Sequence, residues 1–424
     1  MHNEKIITDL PFPIHLISTK KYKTTTLVLQ LKTKLSHENA APRALLANVL
    51  KSGTAGLPTR KKIRLFLDEL YGASFSNDIS KKGENHVISF RMETANEKYL
   101  QEDPSLFEKS ISFLRDILEK PLIEENTFSK KIVEEEKRNL IQKIGSIYDD
   151  KIRYANVRML EIMCQGEPFG VHPYGKTEEV KALSTADLYQ EYQQMLADDD
   201  IRLYIVGDIT EEQVRKQADL FQVKSSAADT PPETVNDKVQ TGENHVTETD
   251  DVQQGKLHIG YRTPVTFENE KFPAMQVMNG LFGGFPHSKL FINVREKESL
   301  AYYAASRYES QKGLVFVMSG IEAGKYDRAV TIIKEQLEDM RKGEFTEEEV
   351  EQTKRMLKNQ LLETADSARG MVELSYQGVV SRKNRPLAEW IQQIDEVKKE
   401  DIISCAEELN LDTIYFLCGK EERN

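Results

Sequence analysis

Cysteine is scarce in this sequence and badly placed for cross-linking. Cys164, Cys405 and Cys418 are odd in number and far apart, so they build neither a disulfide framework nor paired Cys-x-x-Cys zinc ligands, and buried reduced thiols are expected. Cationic excess is also missing. A net charge of −11 excludes the basic footprint that a nucleic acid or an anionic membrane requires, so neither is expected as a partner. No apolar run approaches the length of a membrane span. The opening residues, Met1-His-Asn-Glu-Lys-Ile-Ile-Thr-Asp-Leu-Pro, lack the apolar stretch of a secretory signal, and the chain is expected to stay in the cytoplasm. What is present suits a folded protein: hydrophobic residues make up 39%, and 424 residues are too many for one ordinary core. Two or more domains are therefore expected.

Periodicity along the chain alternates between strand and helix. Residues 11–17 and 24–32 read as strands joined by a polar Lys-Lys-Tyr-Lys turn, suggesting a hairpin. A helix over 42–52 buries Leu45, Leu46, Val49 and Leu50, with Gly53 as its stop. A second, over 60–71, is capped by Thr59 and carries Ile63, Phe66, Leu67 and Leu70 at helical spacing. Two β-like segments flank the Lys81-Lys-Gly-Glu turn, and a long charged helix follows around 124–148, whose charge run reads as a solvated face. Residues 223–254 are rich in Ser, Thr, Asp, Glu and Pro, include Pro231-Pro232, and read as a linker.

Beyond the linker the pattern restarts. Leu70-Tyr-Gly-Ala-Ser-Phe-Ser matches Leu300-Ala-Tyr-Tyr-Ala-Ala-Ser, the charged helix near Phe128 matches one near Phe345, and Ile205-Val-Gly matches Leu417-Cys-Gly. Offsets of this size make the repeat unit a whole domain. The expected fold is α+β, with two homologous domains at 1–222 and 255–424, each a mostly antiparallel sheet packed with helices, joined by the polar linker 223–254.

This architecture and its motifs resemble the insulysin, pitrilysin and mitochondrial processing peptidase family of zinc metallopeptidases. The resemblance covers nearly the whole chain and implies paired domains that close around an unfolded peptide. Active members carry His-x-x-Glu-His on the first helix, ahead of a Gly-Thr step. The two His bind zinc from one helix face, and the Glu between them is the general base. Aligning Gly53-Thr54 on that step puts Ala44, Ala47 and Asn48 at the first His, the Glu and the second His; sliding the match by one residue substitutes Arg43, Leu46 and Ala47. Neither register offers a ligand. The family's third ligand, a Glu seven residues after another acidic residue, aligns on Lys143 with Glu136 as the surviving acid. The resemblance thus implies a degenerate zinc site, with no metal bound by this chain and no catalysis by it alone.

The second half keeps its motif. Arg295 and Tyr302, within Phe291-Ile-Asn-Val-Arg-Glu-Lys-Glu-Ser-Leu-Ala-Tyr, match the family's Arg and Tyr seven residues apart, which bind the substrate backbone and steady the tetrahedral intermediate. By spacing alone the pair reads rather as an ion-paired Arg and a strand-filling Tyr, but Gly280-Leu-Phe-Gly-Gly and Ser288-Lys-Leu-Phe match the family as well, which reverses the preference. These glycines lack the following Gly-Lys-Ser/Thr of a phosphate loop. His172-Pro-Tyr-Gly also occurs in the family, either lining the chamber or packed by its own Pro and Tyr. The implied function is an inactive subunit that pairs with a zinc-bearing homologue, or with itself, to act on unfolded peptides. A non-enzymatic peptide-binding or structural subunit is the alternative.

Overall fold

In the computed structural model, residues 4–101, 105–225 and 243–420 are described. They fall into two compact units. The first gathers Met1–Ser146, Glu167–Pro231 and Ser367–Glu373, and the second Ile147–Gly166, Pro232–Asp366 and Leu374–Asn424.

The first unit is built on a six-stranded sheet. Its strands are β1 (Glu4–Ile7), β2 (Ile14–Ser18), β3 (Thr24–Lys34), β4 (Ser74–Lys82), β5 (Asn85–Ala95) and, after a two-residue pair β6 (Ile123–Glu124) and β7 (Thr127–Phe128), β8 (Asp200–Gly207). The order is β1-β2-β8-β3-β5-β4. Residues 11–17 and 24–32 therefore do not form the hairpin expected from the turn between them, because β8 lies between β2 and β3, parallel to the former and antiparallel to the latter. The physical reason lies in β2 itself: Ile14, His15, Leu16 and Ile17 are all buried, so both faces need cover and both edges need partners. Leu27, Leu29 and Leu31 of β3, Phe90 of β5 and Leu203 and Ile205 of β8 form the core under the helices.

Those helices begin with α1 (His37–Ser52), α2 (Arg60–Glu69), α3 (Leu106–Glu119) and α4 (Lys130–Asp149); α5 (Lys151–Met163) follows in the chain but belongs to the second unit. α1 starts more than a turn before the expected 42–52. The Ser36 hydroxyl accepts from the Asn39 N–H, and Asn39 accepts from the Ser36 N–H in return, a capping box that outweighs the interior Pro42. Thr59 caps α2 as expected.

The second unit repeats the plan with five strands, β9 (Asn244–Asp250), β10 (Gly255–Arg262), β11 (Ala301–Glu309), β12 (Leu314–Ile321) and β13 (Asn410–Gly419), ordered β11-β12-β10-β13-β9. Position by position, β9-β13-β10-β12-β11 corresponds to β2-β8-β3-β5-β4, with the one parallel pair at the same place in each. The fold is α+β with two homologous sheets. β9 falls inside the stretch read as linker. Its polar residues conceal a strand that pairs with β13, and Glu248 on it accepts from Tyr415, Tyr154 and Arg158. Pro231-Pro232 lies outside the described residues.

The units do not follow the chain strictly. α5, from the first half, packs on β10 and β13, where Gly260 leaves room for Met159 and Met163. The start of its counterpart in the repeat, the helix Ala368–Val380, belongs to the first unit. Each half of the sequence thus contributes a helical segment to the other's unit.

Candidate functional site

α1 buries Ala44 and Ala47 completely, and neither side chain can donate electrons to a metal. Asn48, on the same helix, is tied down locally: its Nδ2 donates to the Ala44 carbonyl at 3.1 Å and its Oδ1 accepts from Asn77 Nδ2 on β4 at 3.0 Å. Arg43 is directed elsewhere, with both terminal nitrogens on Asp199 at 2.9 and 2.7 Å.

α4 carries the surviving acid. Glu136 is only 5% exposed, so part of the charge run read as a solvated face is in fact buried. Its carboxylate accepts from Ser52 Oγ at 2.5 Å, from Asn139 Nδ2 at 3.1 Å and from Arg60 Nη2. A buried carboxylate needs a cation and several donors, and here the guanidinium of Arg60 supplies the charge.

Lys143, two turns further along α4, places its ammonium 4.3 Å from the centre of the Tyr174 ring. Burial pulls the Lys51 ammonium below the usual lysine range, and the charges of Arg60 and Lys143 pull in the same direction. Sequence reasoning missed Lys51 and Arg60. The available signal was position, since Lys51 stands seven residues after Ala44 and so on nearly the same helix face.

The loop through His172 packs over α1. Gly175 has φ +66°, and a Cβ there would lie 2.5 Å from Cβ of Ala41. Gly175→Ala is expected to destabilise the first unit by about 2–3 kcal/mol, read as a lowered urea midpoint with unchanged m value. The His172 ring is pushed down to about 4, chiefly by burial and then by Lys81 and Lys143, so at neutral pH it is uncharged and Nδ1 accepts from the Tyr174 N–H.

Zinc does not fit these residues. The aligned positions hold two methyl groups, an amide already bonded, and a cation, while the nearby carboxylate is taken up by Arg60, Ser52 and Asn139. Among the described residues no group of three or more His, Cys, Asp or Glu could hold a metal ion.

The second unit presents a different surface. Leu290–Lys297 is a π-helical segment, and Ser299, at φ +50°, turns the chain into β11. Arg295 is exposed and stacks 4.5 Å over the Phe291 ring, with no carboxylate partner among the described residues. Tyr302 is 70% exposed, at the irregularity that opens β11, the edge strand of its sheet. Gly280 and Gly283 serve close packing: a Cβ would come within 2.5 Å of Thr353 and of the Ser306 backbone, respectively.

A family model described as "Peptidase M16 inactive domain" matches residues 182–357. "Probable inactive metalloprotease YmfF" of Bacillus subtilis is 44% identical over 416 residues, which is 96% of each chain. The chain belongs to the M16 (pitrilysin) family. Within M16 it is of the inactive type. The crystal structure of a conserved protein from Enterococcus faecalis V583 matches the whole of both chains with a TM-score of 0.91 at 32% identity. A more distant relative, the antilisterial bacteriocin subtilosin biosynthesis protein AlbE of Bacillus subtilis, is 24% identical over 67% of this chain and 71% of its own. No helix among the described residues is long and apolar enough to cross a membrane.

Proposed function

We propose that this chain is the non-catalytic half of a cytoplasmic two-chain metallopeptidase: its second unit lends Arg295 and Tyr302 to the active site of a zinc-bearing homologue, and the pair acts on unfolded peptides. The observation that carries this reading is an asymmetry. The first unit offers no ligand or base at Ala44, Ala47, Asn48 or Lys143, whereas Arg295 and Tyr302 stand exposed and bonded to no carboxylate among the described residues. A guanidinium and a phenol are donors suited to an oxyanion, and they have no reacting centre of their own here.

Among the described residues each sheet also ends in an edge strand, β4 and β11, bonded on one side. An extended peptide can add to such an edge through its backbone. This supports peptides as the substrate class, and it also favours the second reading, a subunit that binds or escorts peptides with no chemistry at all.

The test is reconstitution. The chain alone is expected to cleave nothing in a mixed peptide library, while adding it to a homologue with an intact His-x-x-Glu-His motif raises that homologue's turnover. A pair no faster than the homologue alone overturns the reading. Chelation separates the roles: EDTA is expected to abolish cleavage by the pair yet leave the melting temperature of the isolated chain unchanged, since its fold draws nothing from a metal.

A further inference from the structure

Three cations gather where α1 meets α4, and two of them lack a counterion. Arg60 is committed to Glu136 and, at 3.4 Å, to Glu135. Lys51, half-buried on α1, and Lys143, exposed on α4, have no carboxylate within ion-pair distance among the described residues; Lys143 rests on the Tyr174 ring alone. Burial, and after it the neighbouring charges of Arg60 and Lys143, make the Lys51 charge costly and pull its ammonium below the usual lysine range. This happens on a protein whose net charge is −11, so the spot is complementary to ligands that the rest of the surface repels.

A binding edge runs beside it. Among the described residues β4 pairs with β5 alone, at the edge of its sheet. Asn77 on β4 is bonded to Asn48, and Asn48 stands one helical turn before Lys51. An extended chain added to β4 at Asn77 would therefore pass the end of α1 where the lysines lie.

We propose that Lys51 and Lys143 form a carboxylate-binding site for an extended peptide paired with β4, so that the position a metal would hold has become a reader of acidic peptides. This rests on the peptide-binding reading above. The carboxylate is a Glu or Asp side chain or the peptide's own C-terminus, and its two oxygens can take one ammonium each. No bond is made or broken: binding exchanges water around three charged groups for two charge-assisted hydrogen bonds.

The experiment uses the intact chain and fluorescein-labelled peptides long enough to cover β4, followed by anisotropy. One peptide is neutral with an amidated end, one adds a central Glu, and one has a free C-terminus. One of the acidic peptides is expected to bind about tenfold more tightly than the neutral one, with an advantage that shrinks as salt is raised. Whichever arm shows it identifies the source of the carboxylate. In the Lys51→Met, Lys143→Gln double variant the advantage disappears while neutral binding persists, and Lys143→Glu reverses the preference toward a peptide with a central Lys. Lys51→Met alone should melt no lower than the natural chain, which controls for folding. Equal affinity for acidic and neutral peptides overturns the carboxylate site and leaves pairing along β4 standing. Failure of every peptide to bind overturns both.

Discussion

In a reconstituted pair, Arg295→Ala is expected to lower turnover about 100-fold or more, the loss of roughly 3 kcal/mol seen when one well-placed oxyanion donor is removed. Arg295 is suited to this because it is exposed, its guanidinium carbon lies 4.5 Å from the centre of the Phe291 ring, and no carboxylate among the described residues is paired with it. Tyr302→Phe is expected to act in the same direction, since its phenol is 70% exposed and removing one hydroxyl leaves β11 unchanged. The partition between constants carries the mechanism. Donors aimed at charge that develops in the transition state lower kcat with little change in KM, whereas donors that only hold the substrate raise KM and spare kcat. If both donors serve one oxygen, the double variant costs less than the product of the two single losses. Unchanged turnover with Arg295→Ala would sink the role.

Arg43→Met should destabilise the isolated chain by about 3–5 kcal/mol at neutral pH, measured by chemical denaturation. Arg43 and Asp199 are both buried, joined by two hydrogen bonds of 2.9 and 2.7 Å, and Glu191 lies 3.6 Å from the same guanidinium. Nε donates to His86 Nδ1 at 3.3 Å, and His86 Nε2 donates to the Pro173 carbonyl at 2.9 Å, so the ring is neutral and joins α1 to β5 and to the loop of His172. Burial, reinforced by Arg43, pushes the His86 ring down to about 3. Methionine fills the space and leaves Asp199 charged without a cation.

The pH dependence follows from the carboxylates. Burial holds Asp199 and Glu191 above the ordinary carboxylate range even with Arg43 present, and removing it raises them further. A carboxyl whose folded pKa exceeds its unfolded value, about 4, contributes stability that is present at low pH and lost as pH rises through the folded pKa. The deficit of Arg43→Met relative to the natural chain should therefore be largest near neutrality and shrink as pH falls through the raised folded pKa of these carboxyls. Adding Asp199→Asn should recover part of it, and two losses that simply add would show that the pair is not coupled.

Much of the local structure was legible because it is decided within a few residues. Thr59 before a charged turn marks the start of α2, the Lys81-Lys-Gly-Glu turn joins β4 to β5, and the matched segments near Phe128 and Phe345 become α4 and the helix Glu347–Ala365. Pairing was not legible. A polar turn between two strands marks a change of direction, yet β8, more than a hundred residues later, enters between them because β2 is buried on both faces. β9 was hidden for a related reason: its Glu248 carries a charge that only Arg158, Tyr154 and Tyr415 make acceptable in a sheet.

By itself the sequence determined the repeat and the helical and strand periods, since each depends only on residue type and spacing, and it placed no His, Cys, Asp or Glu at Ala44, Ala47, Asn48 and Lys143, the positions that its resemblance sets against a zinc site. Only the tertiary structure decided what surrounds those positions. Arg60 neutralises Glu136 from another helix, Asn77 on β4 fixes Asn48, and Lys51 and Lys143 find no counterion among the described residues. The reason is physical: a buried charge is stable only if the fold brings its partner to within a few ångströms, and residues far apart in the chain meet only when the chain packs.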